Sequence, residues 1–453
     1  MVDFGDSIVW KYKTVSCEYC DKPFNNTKGK DLHIKKSHKS KISVRFGPEV
    51  IMDENQNQME PKPDKDEDKK ENSESVNFLE LKESEENKEE IEAAKKAEMD
   101  NFDEYQAFEE VPYNGQQVLG SRYVITKKDD GSVKPRFVIK GFQEEDKAQA
   151  DSPTASRETL KLFLSIVANE KWTLKSYDVR SAFLQSDNIK REVYVKPPPE
   201  RARNGIVWKL KKPVYGLVDA SRQWFLTIKD FLTSLGMKQS LGDSCLFYYR
   251  MEEKLEGIII SHVDDFLAAG SEVFHKNIIS PMLNKFSFGK ISETEFKYTG
   301  ISVYQNNHKT IFIDQNQFIK NLPIFQYRRQ DCENILEKDE NTLLRKTTGQ
   351  LNWLSSQTRP DLAYDAYVLS TCLNKAKYKD AKYASKVLLK SKYEEVQLKF
   401  SHLDKWEDLH LELYVDAALG NVEQDGKTKS MMGYILLLCD KYGNFNPIHW
   451  KSK

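Results

Sequence analysis

The sequence predicts an α+β fold, and three observations carry that expectation. Short apolar runs bounded by turn residues recur, as at Tyr123-Val124-Ile125-Thr126, Arg136-Phe137-Val138-Ile139 and Ile258-Ile259-Ile260-Ser261-His262-Val263, and they read as strands. Stretches with apolar residues three and four apart, Leu160 to Asn169 and Arg222 to Leu235, read as amphipathic helices, the second ended by Gly236. Helical text dominates residues 342–400, a β-rich piece begins near Leu411, and no internal repeat is visible.

The length of 453 residues allows two to four domains with sizeable cores. Lys and Arg (69) nearly balance Asp and Glu (70), for a net charge of -1, but the balance hides a split. Acidic residues crowd positions 52–110, while the basic excess lies toward the two ends. Nucleic-acid contact would therefore rest on local basic patches rather than on the mean charge. Six Cys in a chain of this length are no disulfide scaffold and fit a reducing compartment. No signal peptide and no apolar run long enough to span a bilayer is present, so the chain reads as soluble and intracellular, in nucleus or cytoplasm, with no membrane partner.

Taken in order, residues 14–40 form a compact basic module. Cys17-x2-Cys20-x12-His33-x4-His38 has the spacing of a small ββα zinc finger. Two Cys on a hairpin knuckle and two His about one helical turn apart can reach one tetrahedral Zn²⁺. Phe24 falls at the core aromatic position, and Leu32 substitutes for the core Leu that Lys30 displaces. Lys28, Lys30, Lys35, Lys36 and Lys39 would meet phosphates if the partner is nucleic acid; a protein partner is the alternative. Residues 41–105 read as a disordered acidic linker, because so few apolar residues cannot offset the entropy of ordering. Only its end, Glu86 to Met99, has the composition of a transient helix.

The folded region begins near Phe108. A turn at Asp129-Asp130-Gly131-Ser132 joins the first two strands into a hairpin. Further strands are expected around 245–249 and 257–263, a helix over 276–288, and paired strands over 296–314. The apolar run at 258–263 leads into Asp264-Asp265 and is followed by Phe266-Leu267, which puts two carboxylates at the tip of a hairpin. Two anions side by side in apolar surroundings are costly unless a cation neutralises them, and Mg²⁺ suits such oxygen ligands. Asp178, at the end of the strand-like Leu174-Lys175-Ser176-Tyr177, is the candidate third carboxylate that a two-metal site needs.

These blocks follow an order that identifies a family. Tyr177-Asp178-Val179-Arg180-Ser181-Ala182-Phe183-Leu184, then Leu210-Lys211-Lys212-Pro213-Val214-Tyr215-Gly216-Leu217 with Ala220-Ser221-Arg222-Gln223-Trp224, then His262-Val263-Asp264-Asp265 resemble the reverse transcriptase of copia-type LTR retrotransposon pol polyproteins. Upstream, Lys134-Pro135-Arg136-Phe137-Val138-Ile139-Lys140-Gly141-Phe142 is similar to another block of that family. Downstream, so are Gly349-Gln350-Leu351-Asn352-Trp353-Leu354 and Thr358-Arg359-Pro360-Asp361-Leu362-Ala363-Tyr364. His262 departs from the family's usual Tyr. The resemblance covers residues 106–453 and implies a right-hand polymerase of fingers, palm and thumb over 106–325, a connection region over 326–405 and a truncated ribonuclease H-like α/β piece over 406–453.

The same resemblance implies the chemistry and its parts. Asp178, Asp264 and Asp265 would bind two Mg²⁺ ions for template-directed addition of dNMP to a primer, with an RNA or DNA template-primer and dNTP as partners. The main-chain amides of Val179, Arg180, Ser181, Ala182 and Phe183 would face the triphosphate. Phe183 would stand as the aromatic gate against a ribose 2′-hydroxyl. Lys127 and Arg136 would be triphosphate-binding cations, and Tyr215 and Gly216 would pack under template and incoming base. Asp416, in Leu413-Tyr414-Val415-Asp416-Ala417, matches the first metal-binding carboxylate of the ribonuclease H domain. With the remaining carboxylates lying beyond Lys453, no ribonuclease H activity is expected. The rival reading is an inactive transposon relic that acts, if at all, as a zinc-finger binding module.

Overall fold

A computed structural model describes residues 88–127, 131–145, 149–324, 331–424 and 427–453, with the short strands Ile8–Tyr12, Val15–Ser16 and Pro23–Phe24, and it gives two compact units. One comprises Lys69–Phe163 and Trp172–Phe296, the other Met1–Asp68, Leu164–Lys171 and Lys297–Lys453.

The first unit starts with helix α1 (Lys88–Glu104), which overlaps the stretch Glu86 to Met99 expected as a transient helix at the end of the linker. Its order has a physical reason. Three apolar residues of this charged helix, Ile91, Met99 and Phe102, are buried, and two of its carboxylates accept from backbone amides. The hairpin β1 (Ser121–Lys127) and β2 (Val133–Ile139) follows. The edge of β2 that does not face β1 needs acceptors for its amides. Glu90 accepts from the Val133 amide and Glu98 from the Phe137 amide, each at 3.3 Å. Eight helical residues rise about 12 Å and four strand residues about 13 Å, so one helix can serve both amides. Pro135, between them, has no amide to satisfy. The Ile139 amide donates to the Tyr215 carbonyl at 2.8 Å. Burial pushes the Glu98 carboxyl above its ordinary range, opposed by the Phe137 amide and by Lys134 and Arg136.

The centre of this unit is an antiparallel sheet of six strands. Its labelled members are β3 (Lys175–Val179), β4 (Leu246–Met251), β5 (Lys254–His262), β6 (Asp265–Gly270) and β7 (Phe288–Glu293), in the order Lys238–Gln239, β4, β5, β6, β3, β7. The run Glu256–Ser261 of β5 is buried without alternation, as a strand covered on both faces requires. Helix α2 (Ala220–Ser234) buries Trp224, Ile228 and Leu232 in the same core and stops before Gly236, whose φ of +89° ends it as expected. A four-stranded sheet, Phe108–Pro112, Ile206–Leu210, Tyr194–Val195 and Val118–Leu119, is held by the wholly buried Trp208, whose ring stacks on Phe108 with centroids 3.7 Å apart. The helix expected over 276–288 runs without a break from Glu272 to Lys285, with a π-helical stretch at His275–Ile279.

In the second unit, β8 (Ile301–Gln305) and β9 (Ile311–Asp314) pair as expected, and three helices follow: α3 (Lys338–Gln357), α4 (Ala363–Cys372) and α5 (Tyr378–Tyr393). The last seven residues of the text read as helical form strand β10 (Glu394–Phe400), which pairs with β9. Val396, Leu398 and Phe400 alternate inward, and the period of two prevails over the helical text before it. Arg359, fully buried, explains the Thr358-Arg359-Pro360-Asp361 block. It grips Asp361 with two bonds of 2.8 and 2.9 Å and donates to the Ser391 and Glu394 carbonyls. A meander of β11 (His410–Gln424), β12 (Lys427–Cys439) and β13 (Phe445–Ser452) closes the chain. Trp450 ties it to α3 by donating to the Ser355 carbonyl at 2.6 Å. The described residues of 406–453 hold these strands and one 3-10 turn, without an α-helix.

Candidate active site

The sheet register brings the predicted carboxylates together. His262 pairs with Asp265 across β5 and β6, so Val263-Asp264 is a two-residue hairpin turn. Such turns need positive φ, and Val263 supplies +55°, an uncommon conformation for a β-branched residue. The turn is held in place from two sides. Trp224 donates its indole N–H to the Val263 carbonyl at 2.7 Å, and the Val179 amide donates to the Asp264 carbonyl at 3.0 Å. Asp265 then pairs directly with Asp178 across β6 and β3. Three carboxylates thus start from neighbouring main-chain positions at one end of the sheet.

Their electrostatics differ. Asp178 is exposed, and a Cβ placed on Gly289 would come within 2.8 Å of its Oδ2, so β7 approaches it closely. Asp264 is half-buried, and desolvation lifts its carboxyl above the ordinary aspartate range. The charge of Asp178 adds to the rise, while Lys134 and Arg136 oppose it. Among the described residues no three His, Cys, Asp or Glu side chains are gathered around one point that could hold a metal ion. The donor chemistry fits Mg²⁺, which takes carboxylate oxygens and keeps its remaining positions for water and phosphate.

The five amides expected to face a triphosphate separate into two groups. Val179 and Arg180 spend theirs on the Asp264 and Ser287 carbonyls. Those of Ser181, Ala182 and Phe183 precede the first bond of a 3-10 turn, from the Leu184 amide to the Ser181 carbonyl, and so have no acceptor within it. Ser181, at φ +46°, swings the chain out of β3 into that turn. Gln185 fixes it there, donating to the Arg180 carbonyl and accepting from the Ser287 amide at 2.7 Å.

Phe183 is buried, its ring 4.7 Å from that of Tyr215, and the Arg136 guanidinium lies 5.5 Å from the centroid of the tyrosine ring. Burial first, and the charge of Asp264 second, push the Tyr215 hydroxyl up to about 12. Gly216 has φ +91°, and a Cβ there would stand 2.0 Å from the Ile139 carbonyl oxygen; one on Gly141 would stand 2.1 Å from that of Gly216. At this bare backbone crossing the end of the hairpin meets the segment that leads into α2. Lys127 is exposed at the end of β1, and its pairing with Val133 puts it on the face of the hairpin opposite to Arg136. Gln185 and Gly289 were not singled out by sequence, and Trp224 only as part of a quoted block with no role given; each supports the site through a partner distant in the chain.

Asp416 lies in β11, opposite Gly433, and is exposed. Cys17, Cys20, His33 and His38 lie outside the described residues, although Val15–Ser16 and Pro23–Phe24 pair antiparallel on either side of the two cysteines. No helix among the described residues is long and apolar enough to cross a membrane.

Residues 105–332, half of the chain, match the family described as reverse transcriptase (RNA-dependent DNA polymerase). Among curated relatives, the chain is 26% identical over 361 residues to the retrovirus-related Pol polyprotein from transposon RE1 of Arabidopsis thaliana, a match that covers 74% of this chain and 24% of that one. It is 31% identical over 205 residues to the transposon Ty1-LR2 Gag-Pol polyprotein of Saccharomyces cerevisiae, covering 43% of this chain and 11% of that one. The chain spans about a quarter of the length of the relatives it matches, or less. A solved foamy viral protease-reverse transcriptase in complex with double-stranded DNA is 12% identical, with a TM-score of 0.49 over 80% of this chain and 55% of that one.

Proposed function

Because this chain belongs to the reverse transcriptase (RNA-dependent DNA polymerase) family, we propose that it extends a primer on an RNA or DNA template, with Asp178, Asp264 and Asp265 holding two Mg²⁺ ions. The observation that carries this reading is the register of β6 on β3, which pairs Asp265 with Asp178 and leaves Asp264 at the adjoining turn. Bound there, Mg²⁺ would lower the pKa of the primer 3′-hydroxyl and neutralise charge on the pyrophosphate side. The chain's own groups do the positioning. The amides of Ser181, Ala182 and Phe183 offer donors to a phosphate oxygen. Arg136, supported on Tyr215, offers a fork of donors to the same anion. Phe183 acts through its packing on Tyr215, which makes its gating of the ribose an indirect one.

Two outlying pieces complete the reading. Cys17, Cys20, His33 and His38 would form a zinc module; their spacing supports it, and the strands Val15–Ser16 and Pro23–Phe24, which flank the two cysteines in sequence, pair antiparallel. Asp416 is the remnant of a ribonuclease H-like site carried on the terminal meander. Primer extension with Mg²⁺ on an RNA template tests the central claim: product from the wild type, lost in Asp264→Asn, supports it. An inert wild type would leave the binding-module reading. For zinc, metal content of one equivalent in the wild type and none in Cys20→Ser is the expected result.

A further inference from the structure

We propose that the outward face of the sheet in the second unit is a stacking platform for single-stranded nucleic acid, built on Tyr304 and Phe312 with Lys399 beside them. The proposal stands on this face alone and does not depend on the carboxylate site.

Alternation along three neighbouring strands makes the face. Val303 and Gln305 of β8, Ile311 and Ile313 of β9, and Leu398 and Phe400 of β10 are buried. The residues between them, Tyr304, Phe312 and Lys399, therefore point the other way. The register lines these three up: Tyr304 is opposite Phe312, and Phe312 is opposite Lys399. Residues directly opposite each other in an antiparallel pair lie on one side. One row thus crosses the sheet in the strand order β8, β9, β10.

The two rings suit unstacked bases. Tyr304 is 47% exposed, so much of its ring is open to solvent. Its centroid is 6.1 Å from that of Phe312, and the two planes lie within 25° of parallel. Nearly parallel rings on adjacent strands let two successive bases of a single strand settle on them in one orientation, the way an open sheet holds single-stranded nucleic acid. A duplex has its bases already stacked inside and offers no such faces.

Charge on the face favours an anion. Asp314 is occupied by the Gln397 side-chain amide at 2.7 Å and the Asn316 main-chain amide at 3.0 Å, and Glu395 by Lys320 at 3.1 Å. Lys399 has no carboxylate partner among the described residues. It stands one strand beyond Phe312, about 5 Å away at the main chain, within reach of the phosphate next to a base on that ring. The turn that joins β8 to β9 adds His308 and Lys309.

Fluorescence anisotropy of a labelled single-stranded oligouridylate on the full chain, with excess unlabelled blunt DNA duplex present, reads the platform apart from any duplex-binding surface. Tyr304→Ala and Phe312→Ala are each expected to weaken binding roughly tenfold, as the loss of one stacked base implies. Tyr304→Phe should keep the affinity near wild type, since the ring and not the hydroxyl is used. Lys399→Ala should lower the slope of log affinity on log salt by about 0.7, the share of one phosphate contact on a single strand. If Phe312→Ala lowers the melting temperature, Phe312→Leu keeps apolar bulk there and should still lose the stacking. Photocrosslinking through 5-iodouridine in the same oligouridylate should join it to peptides that hold Tyr304 or Phe312. Unchanged affinity in both alanine variants overturns the proposal, as does a wild type that binds no oligouridylate, complete displacement by the duplex, or crosslinks confined to other peptides. A Tyr304→Ala protein whose oligomeric state changes while its oligouridylate binding does not would make the face an interface between copies instead.

Discussion

The chain has two antiparallel sheets that carry strand aspartates, and they differ in what lies around the carboxylate. In the six-stranded sheet, Asp264 follows a strand buried from Glu256 to Ser261, and the register sets Asp265 against Asp178. In the terminal meander, Asp416 sits within edge strand β11, opposite Gly433, and Leu411, Leu413 and Val415 of that strand are all exposed. The same residue type on the same kind of element therefore has two meanings. A buried strand carries its carboxylates to a shared end, where desolvation and a second anion make a cation welcome. An exposed strand leaves its carboxylate in water, with nothing to compensate.

The comparison breaks most visibly in catalysis. Asp178→Asn and Asp264→Asn should each lower Mg²⁺-dependent extension by about 10²-fold or more, and the double variant should lose little beyond either single one, since the unit fails as a whole. Asp416→Asn should extend primers at the wild-type rate. Equal losses at Asp416 and Asp264 would mean that the two sheets are not separate in function.

Core energetics sharpen it next. Ile259 is fully buried in β5, and Ile259→Ala should cost about 2–5 kcal/mol through lost burial and a residual cavity. Leu413 is 59% exposed, and Leu413→Ala should change stability by no more than about 0.5 kcal/mol. Denaturant unfolding reads both; a large loss at Leu413 would show that its face is covered.

A smaller effect is expected at two glycines. Gly216→Ala places a methyl against the Ile139 carbonyl in a left-handed conformation, and strain plus overpacking should cost about 2–4 kcal/mol and weaken nucleotide binding together with stability. Gly433, the partner of Asp416, has no neighbouring atom closer than 3.8 Å to where a Cβ would stand, so Gly433→Ala should be neutral or slightly stabilising. Melting curves of the two alanine variants decide it: a Gly216→Ala protein as stable as wild type would mean that the hairpin and the segment before α2 do not touch as described.

What the sequence makes legible follows the same division between local and distant causes. The hairpin tip at Asp264 is readable because an apolar run, two acids and an apolar pair are contiguous. Helix α2 and its end at Gly236 are readable from local periodicity. Helix α1 is readable only as a transient helix, because its three buried residues are diluted among charges and two of its carboxylates serve amides of a strand some forty residues away. Lys127 and Arg136 both read as cations of the early hairpin; only register, which no local text fixes, sends them to opposite faces. Trp224, Gln185 and Gly289 matter through partners between 39 and 111 positions distant, such as Trp224 with Val263 and Gly289 with Asp178.

The last and smallest effect concerns stability at the metal site itself. Burial raises the Asp264 carboxyl, so the folded chain binds that proton more tightly than the unfolded chain does. The sign follows directly. Below the ordinary aspartate range both states hold the proton and the group costs nothing. As pH rises from there through the elevated folded value, the unfolded state releases its proton first, and the folded state loses stability relative to it. At neutral pH in EDTA the ionised Asp264 is therefore a burden on the fold, and Asp264→Asn should raise the melting temperature by a few degrees at most, about 1 kcal/mol being worth roughly 2–4 °C in a unit of this size. The gain should vanish when the scan is repeated at a pH near 3, and Asp416→Asn, on the exposed strand, should show no comparable gain at either pH. A drop in melting temperature for Asp264→Asn at neutral pH would mean that the carboxylate is held by a fixed cation of the chain, and the site would then be a closed ion pair rather than an open seat for Mg²⁺.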